Sequence, residues 1–153
     1  MKIPFLSRFT GDDTRAATAK ISFANAVSAG HRARFGTVLG GILRELPDLL
    51  AVSVVDLRVG ELLASHHPPG KLNPARAAAY NAEVIRQQQQ ALHALGLVES
   101  EAIDDILITL GSQWHLLRLL PGQHHFVHLM VSIRDTNLAL TREVLRNHTA
   151  AAG

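Results

Sequence analysis

The chain has 153 residues, 47% hydrophobic and 18% charged, which suits one globular domain with a continuous core and leaves no room for a second full one. Its formal net charge is only +2, and the absence of cysteine removes disulfides, thiolate metal sites and cysteine nucleophiles together. No run approaches the length of a membrane span, and MKIPFLSRFTGDD lacks the apolar stretch of a secretory signal, so the expected location is the cytoplasm, with no stable membrane insertion.

The charge is unevenly spread. Residues 1–34 hold six basic and two acidic residues, a net +4, whereas the remainder holds nine basic and eleven acidic, a net −2. A basic arm over residues 1–34, partly helical or disordered, is therefore expected before a domain at 35–149, with 150–153 as a tail. Within the arm, Asp13 to Ala29 is a weak helix candidate closed by Gly30. Nucleic-acid binding calls for a dense basic stripe with aromatics for stacking, and one Trp, one Tyr and five Phe do not supply it. No nucleic-acid partner is expected.

Phe35, Val38, Leu39, Ile42, Leu43 and Leu46 recur at steps of three and four, which predicts an amphipathic helix packed on something flat. Pro47 and Asp48 end it. Residues 50–57, LAVSVVDL, and 61–66, ELLASH, read as a hairpin. After His67, Pro68, Pro69 and Gly70, Asn73 followed by Pro74 opens a long helix to about Leu95, closed by Gly96. Ala75, Ala78, Ala79 and Ala82, continued by Ile85 and Leu92, give this helix a small-residue face that another backbone can approach. Residues 102–110, 113–120 and 124–133 read as three strands whose connections, Gly111–Ser112 and Pro121–Gly122, are too short for parallel crossovers. They form an antiparallel meander. A last helix opens at Asp135 or Thr136 and runs to about Asn147, with Leu138, Val144 and Leu145 toward the sheet.

Taken together, the segments LGGILRELPDLLAVSVVD, GELLA from Gly60, the strand pair joined by Pro121–Gly122, and NLALTREVL from Asn137 resemble the Roadblock/dynein light-chain family over residues 35–148. That resemblance implies an α/β sandwich of order αββαβββα, related to longin and profilin-like domains. Its five antiparallel strands would lie in the order second, first, fifth, fourth, third. It also implies dimerisation through the long helix and the third strand, and regulation of a small Ras-like GTPase or an equivalent regulatory partner. Gly40–Gly41 and the run Gln87 to Gln90 do not map onto the family pattern.

Enzyme chemistry is not expected. Gly36, Gly40 and Gly41 lie in an amphipathic helix and no Lys-Ser or Lys-Thr completes a phosphate loop, so close helix packing accounts for them better. Gly111–Ser112–Gln113 lacks the second glycine of a nucleophile elbow. Nine histidines invite a metal reading: a two-residue turn at Pro121–Gly122 places His115 opposite His128, on the face shared by His124. No carboxylate stands at ligand spacing, and a partly exposed polar pair is the better account. No metal or other cofactor is expected.

The expected protein is thus a homodimeric adaptor without catalytic residues of its own. Its seam would comprise Ala75, Ala78, Ala79, Ala82 and Ile85 of the long helix with Ile106 and Ile108 of the edge strand. Arg76, Glu83 and Arg86 on the exposed side of the helix would meet the partner. The alternatives are a ligand-sensing profilin-like domain, which a buried polar cluster would favour, and a structural scaffold without nucleotide-linked activity.

Overall fold

The computed structural model describes residues 19–70 and 73–152. The elements are β1 (Ser22–Phe23), α1 (Ala29–Glu45), β2 (Ala51–Asp56), β3 (Leu62–His66), α2 (Pro74–Ala94), β4 (Asp105–Thr109), β5 (Gln113–Leu119), β6 (His125–Ser132) and α3 (Leu138–Ala150). All strands join one antiparallel sheet in the order β1-β3-β2-β6-β5-β4. The expected five-stranded order is present from β3 to β4, and β1 adds a sixth strand outside β3.

Strand alternation sends side chains to two faces, each with its own core. Val52, Val54, Leu116, Val127, Leu129 and Val131 pack with Phe35, Val38, Leu39 and Ile42 of α1 and Val144 and Leu145 of α3. Val55, Leu57, Leu117, Leu119 and Phe126 pack with Ala78, Ala82 and Ile85 of α2. The sheet is thus sandwiched between the α1/α3 pair and α2. Caps fix the helix starts: Ser28, Asn73 and Asn137 each accept a hydrogen bond from a backbone N–H three residues on.

The N-terminal boundary expected at residue 34 is corrected. Helix α1 begins at Ala29, so Gly30 lies inside it, and the helix proposed from Asp13 gives way in its described part to β1 and a turn. Residues 1–18 lie outside the described residues. Ser22 and Phe23 pair with Ser65 and Ala64, while Ile21, Phe23 and Val27 join the α1/α3 core. Arg32 anchors this segment: its guanidinium donates to the carbonyls of Val27 and Ala24, each at 3.0 Å, and lies 5.5 Å from the Phe23 ring centre. From Ile21 onward the arm is part of the domain. At the other end, the 150–153 tail begins inside α3, and Ala152 is buried in the same core.

Gly41 shows why a glycine sits mid-helix. A Cβ there would lie 2.2 Å from His148 Nδ1, so α1 and α3 cross at this point, and His148 Nε2 reaches Glu45 Oε1 at 2.6 Å. Close helix packing, the reading preferred from sequence, is what the glycine serves. Gly41→Leu is expected to cost about 1–3 kcal/mol in urea denaturation, and His148→Ala in the same chain to recover part of it. Equal losses with and without His148 would place the strain elsewhere.

Candidate functional site

The small-residue face of α2 does not lie free for another subunit. Ala78, Ala82 and Ile85 are 0% exposed within the protomer and pack on Val55, Leu57, Leu117, Leu119 and Phe126. Ala79 stays exposed but sits against the β2–β3 turn, where Gly60 (φ +74°) would bring an added Cβ within 3.1 Å of the Ala79 Cα. The alanines allow α2 to lie close on its own sheet. Of the seam residues expected from sequence, Ala78, Ala82 and Ile85 are thereby corrected to protomer core, Ala75 and Ala79 remain at the surface, and Ile106 and Ile108 are half-buried on the α2 side of β4.

Beside this core lies a polar chain of which the strand pattern revealed only the two histidines. Asn81 of α2 is buried and its Nδ2 lies 3.2 Å from His128 Nδ1; His128 Nε2 lies 3.1 Å from His115 Nδ1. With the Asn81 amide donating, each ring passes the role on: His128 Nε2–H donates to His115 Nδ1, and His115 carries its proton on Nε2. That Nε2 is buried and has no hydrogen-bond partner among the described residues. Burial, reinforced by the neighbouring His115, pushes the His128 pKa down to about 3, and burial lowers His115 as well. Both rings are therefore neutral at pH 7.

The two histidines meet, though not in the expected register. Leu117 stands opposite His128 and His115 opposite Met130, so the rings touch along a diagonal with centres 5.1 Å apart. The cause is Pro121. A two-residue hairpin turn needs a positive φ at its first central residue, which proline cannot adopt. Pro121–Gly122 forms instead a turn closed by Gln123 N–H to Leu120 O, with Gly122 at φ +84° and Gln123 at φ +55°. The chain then rejoins the ladder through Leu120 N–H to His125 O, shifting the pairing by two residues and keeping each side chain on its face.

Ser53 and Ser65 are also buried, and with His128 and Met130 they border a cavity of about 10 Å³. The sheet thus does bury a polar cluster, the feature that would favour a ligand-sensing domain. The cavity is on the scale of a single water and far below that of a small-molecule pocket. Among the described residues no group of three or more His, Cys, Asp or Glu side chains is arranged to hold a metal ion.

Two surfaces are only partly packed among the described residues. Helix α2 lies chiefly over β2 and β3, leaving Ile103, Ile106, Ile108 and His115 half-buried on the β4–β5 side. No residue from Arg86 to Ala94 is buried, and Leu95, Leu97 and Val98 beyond them are exposed. A helical stretch of this length with no fully buried residue is unusual, because packing of an apolar face supplies most helical stability in proteins. Strand β4, beside this surface, is a sheet edge.

No family model matches the chain, and no curated protein matches it significantly. Solved structures do. Myxococcus xanthus MglB superposes with a TM-score of 0.68 at 12% identity, covering 80% of this chain and 87% of that one. A Roadblock/LC7 domain from Streptomyces avermitilis gives 0.61 at 13%, covering 74% and 90%. A structure described as MglB with tetrameric arrangement gives 0.65 at 18%, covering 86% and 92%. The fold is that of the Roadblock/LC7 domains.

On this Roadblock fold the three expected partner-binding residues have different fates. Arg76 is exposed, its guanidinium 5.9 Å from the ring centre of the exposed Tyr80. Glu83 is exposed and holds Arg86 and Gln87, and these hydrogen bonds, Gln87 first, lower its pKa. Arg86 is committed: one amino group donates to the Leu57 and Arg58 carbonyls at 2.8 and 3.2 Å, while Nε and the other bind Glu83. It pins α2 to the β2–β3 turn, a positioning task within the fold. No helix among the described residues is long and apolar enough to cross a membrane.

Proposed function

We propose that this chain is a homodimeric regulatory adaptor that binds a small Ras-like GTPase in the cytoplasm and has no catalytic residues of its own. The observation that carries the reading is the unpacked surface formed by the second half of α2, the half-open sheet face over β4 and β5, and the β4 edge. All three are left incompletely packed among the described residues. A second copy related by a two-fold axis would pair β4 with β4 and bring the two α2 helices together on one face, removing an edge that is a liability in a monomer. Ala75, Ile106, Ile108 and the residues from Gln87 to Val98 would line this seam. Fold similarity to the MglB structures supports the regulatory part of the reading.

Across such a dimer the exposed sides of two α2 helices, with Arg76, Tyr80 and Glu83, form a composite platform for the GTPase. The mechanism is a clamp: the dimer favours one nucleotide state by binding it more tightly than the other, and shifts the population by that difference in affinity. Since Arg86 is held by two carbonyls and Glu83, it is not free to enter a nucleotide site. The test mixes the protein with the Ras-like GTPase encoded nearest to its gene, in the GDP and GTP states. State-selective binding is expected, with GTP turnover surviving Arg76→Ala. Loss of turnover with binding intact would make Arg76 a catalytic finger. Equal or absent binding in both states would favour a structural scaffold.

A further inference from the structure

The Asn81–His128–His115 chain ends on a ring nitrogen with nothing to bond. His115 Nε2 is buried and unpartnered at the half-covered β4–β5 side of the sheet, beside the half-buried Ile108 that stands opposite it on β4. A buried polar atom left unpaired costs about 1–3 kcal/mol, so a native position of this kind calls for a partner that the described residues do not supply. The rest of this network is already engaged. His128 has both nitrogens engaged and Asn81 is buried beside it, so His115 has no third partner to turn toward within the network.

The second unexplained feature is the run Gln87 to Gln90. It occupies the portion of α2 in which no residue is fully buried, Gln89 being half-buried, and among the described residues only Gln87 has a side-chain partner, Glu83. Four consecutive residues on an α-helix sweep about 300° of its circumference. Whichever side of this helix is laid on a surface, a carboxamide faces that surface. A carboxamide also both donates and accepts, so it satisfies a histidine nitrogen in either tautomer.

We propose that a glutamine of the Gln87–Gln90 run in one protomer hydrogen-bonds His115 Nε2 of the second copy, so that the polar chain is completed only across the dimer. This rests on the dimer reading given above and adds to it a residue-level determinant of register. An apolar seam tolerates sliding. One buried polar pair that closes in a single register does not, because any shift strands the imidazole. The glutamine run serves specificity of self-association, and His115 is its positioning counterpart.

The experiment is a double-mutant cycle on the dimer dissociation constant, read by sedimentation with the full chain. His115→Ala and one of Gln87→Ala, Gln88→Ala, Gln89→Ala or Gln90→Ala are each expected to weaken the dimer about tenfold. The double variant should lose little more than either single, because both remove one bond. The glutamine positions are exposed or half-buried, so their variants keep the protomer folded and the cycle readable even if His115→Ala lowers its melting temperature. A direct readout is the His115 Nε2 proton in nitrogen-15 histidine spectra, expected to be protected from exchange in the dimer and lost in the sensitive glutamine variant. A dimer whose dissociation constant ignores all four glutamine changes, or shows full additivity with His115→Ala, would overturn the proposal and leave the dimer intact. A chain that sediments as monomer up to about 100 µM would overturn the dimer reading as well.

Discussion

Ala82→Glu is expected to unfold the protomer and not to release a folded monomer. Read from sequence alone, Ala82 belongs to a seam between subunits, and a charge there should separate them. In the structure Ala82 is 0% exposed and packs under α2 against the sheet, in the core that contains Val55, Leu117 and Phe126. A glutamate at this position either buries a carboxylate in apolar surroundings or levers the helix off the sheet. The loss should be at least about 4 kcal/mol, a large part of the 5–15 kcal/mol that holds a typical domain together. Circular dichroism and urea titration would show it directly. Ala75→Glu is the control: exposed, in the first turn of α2 where a negative charge suits the helix dipole, it should leave folding unchanged. A cooperative, folded Ala82→Glu monomer would return Ala82 to the seam.

That reversal shows what a sequence pattern can convey about a helix face. The spacing of Ala78, Ala82 and Ile85 correctly marks a face made for close approach, but it does not say whether the approaching backbone belongs to the same chain. Boundaries with strong local chemistry were legible: Asn73–Pro74 opens α2 because side chain and imino ring act on their own turn, and Gly96, at φ +69°, follows its end. The meander from β4 to β6 was legible for a related reason, since short connections leave antiparallel pairing as the only option. Strand β1 was not. Two residues carry no periodicity, and Phe23 earns its place through contacts with Arg32 and β3 that only the folded chain creates. The histidine pair was foreseen by a register two residues out, because the turn was judged by length and not by the sign of φ that Pro121 permits. Asn81 was missed altogether. A lone asparagine in a helix carries no signal of burial until its partner on β6 is known.

The same buried chain predicts how the protein responds to acid. His128 is nine-tenths or more buried, with its pKa pushed down to about 3 by burial first and by His115 second. In the unfolded chain its pKa is about 6.5. Between these values the unfolded state binds a proton that the folded state refuses, so stability falls as pH drops from about 6.5 toward 3, and is fully present above that window. The slope is about 1.4 kcal/mol per pH unit, which gives a loss of about 2 kcal/mol from this one group at pH 5 relative to pH 7.5. His115, also lowered by burial, acts in the same direction. Urea denaturation at pH 7.5 and pH 5, at one protein concentration so that association does not confound the comparison, measures the difference. His128→Gln keeps a side chain able to bond Asn81 and His115 but cannot take up a proton near neutrality. It should cost some stability at pH 7.5 through imperfect packing, yet lose about 2 kcal/mol less than the parent on acidification. A parent chain with the same stability at both values, or a His128→Gln chain with an unchanged acid slope, would mean that the imidazole is reached by solvent and is not the buried link between Asn81 and His115.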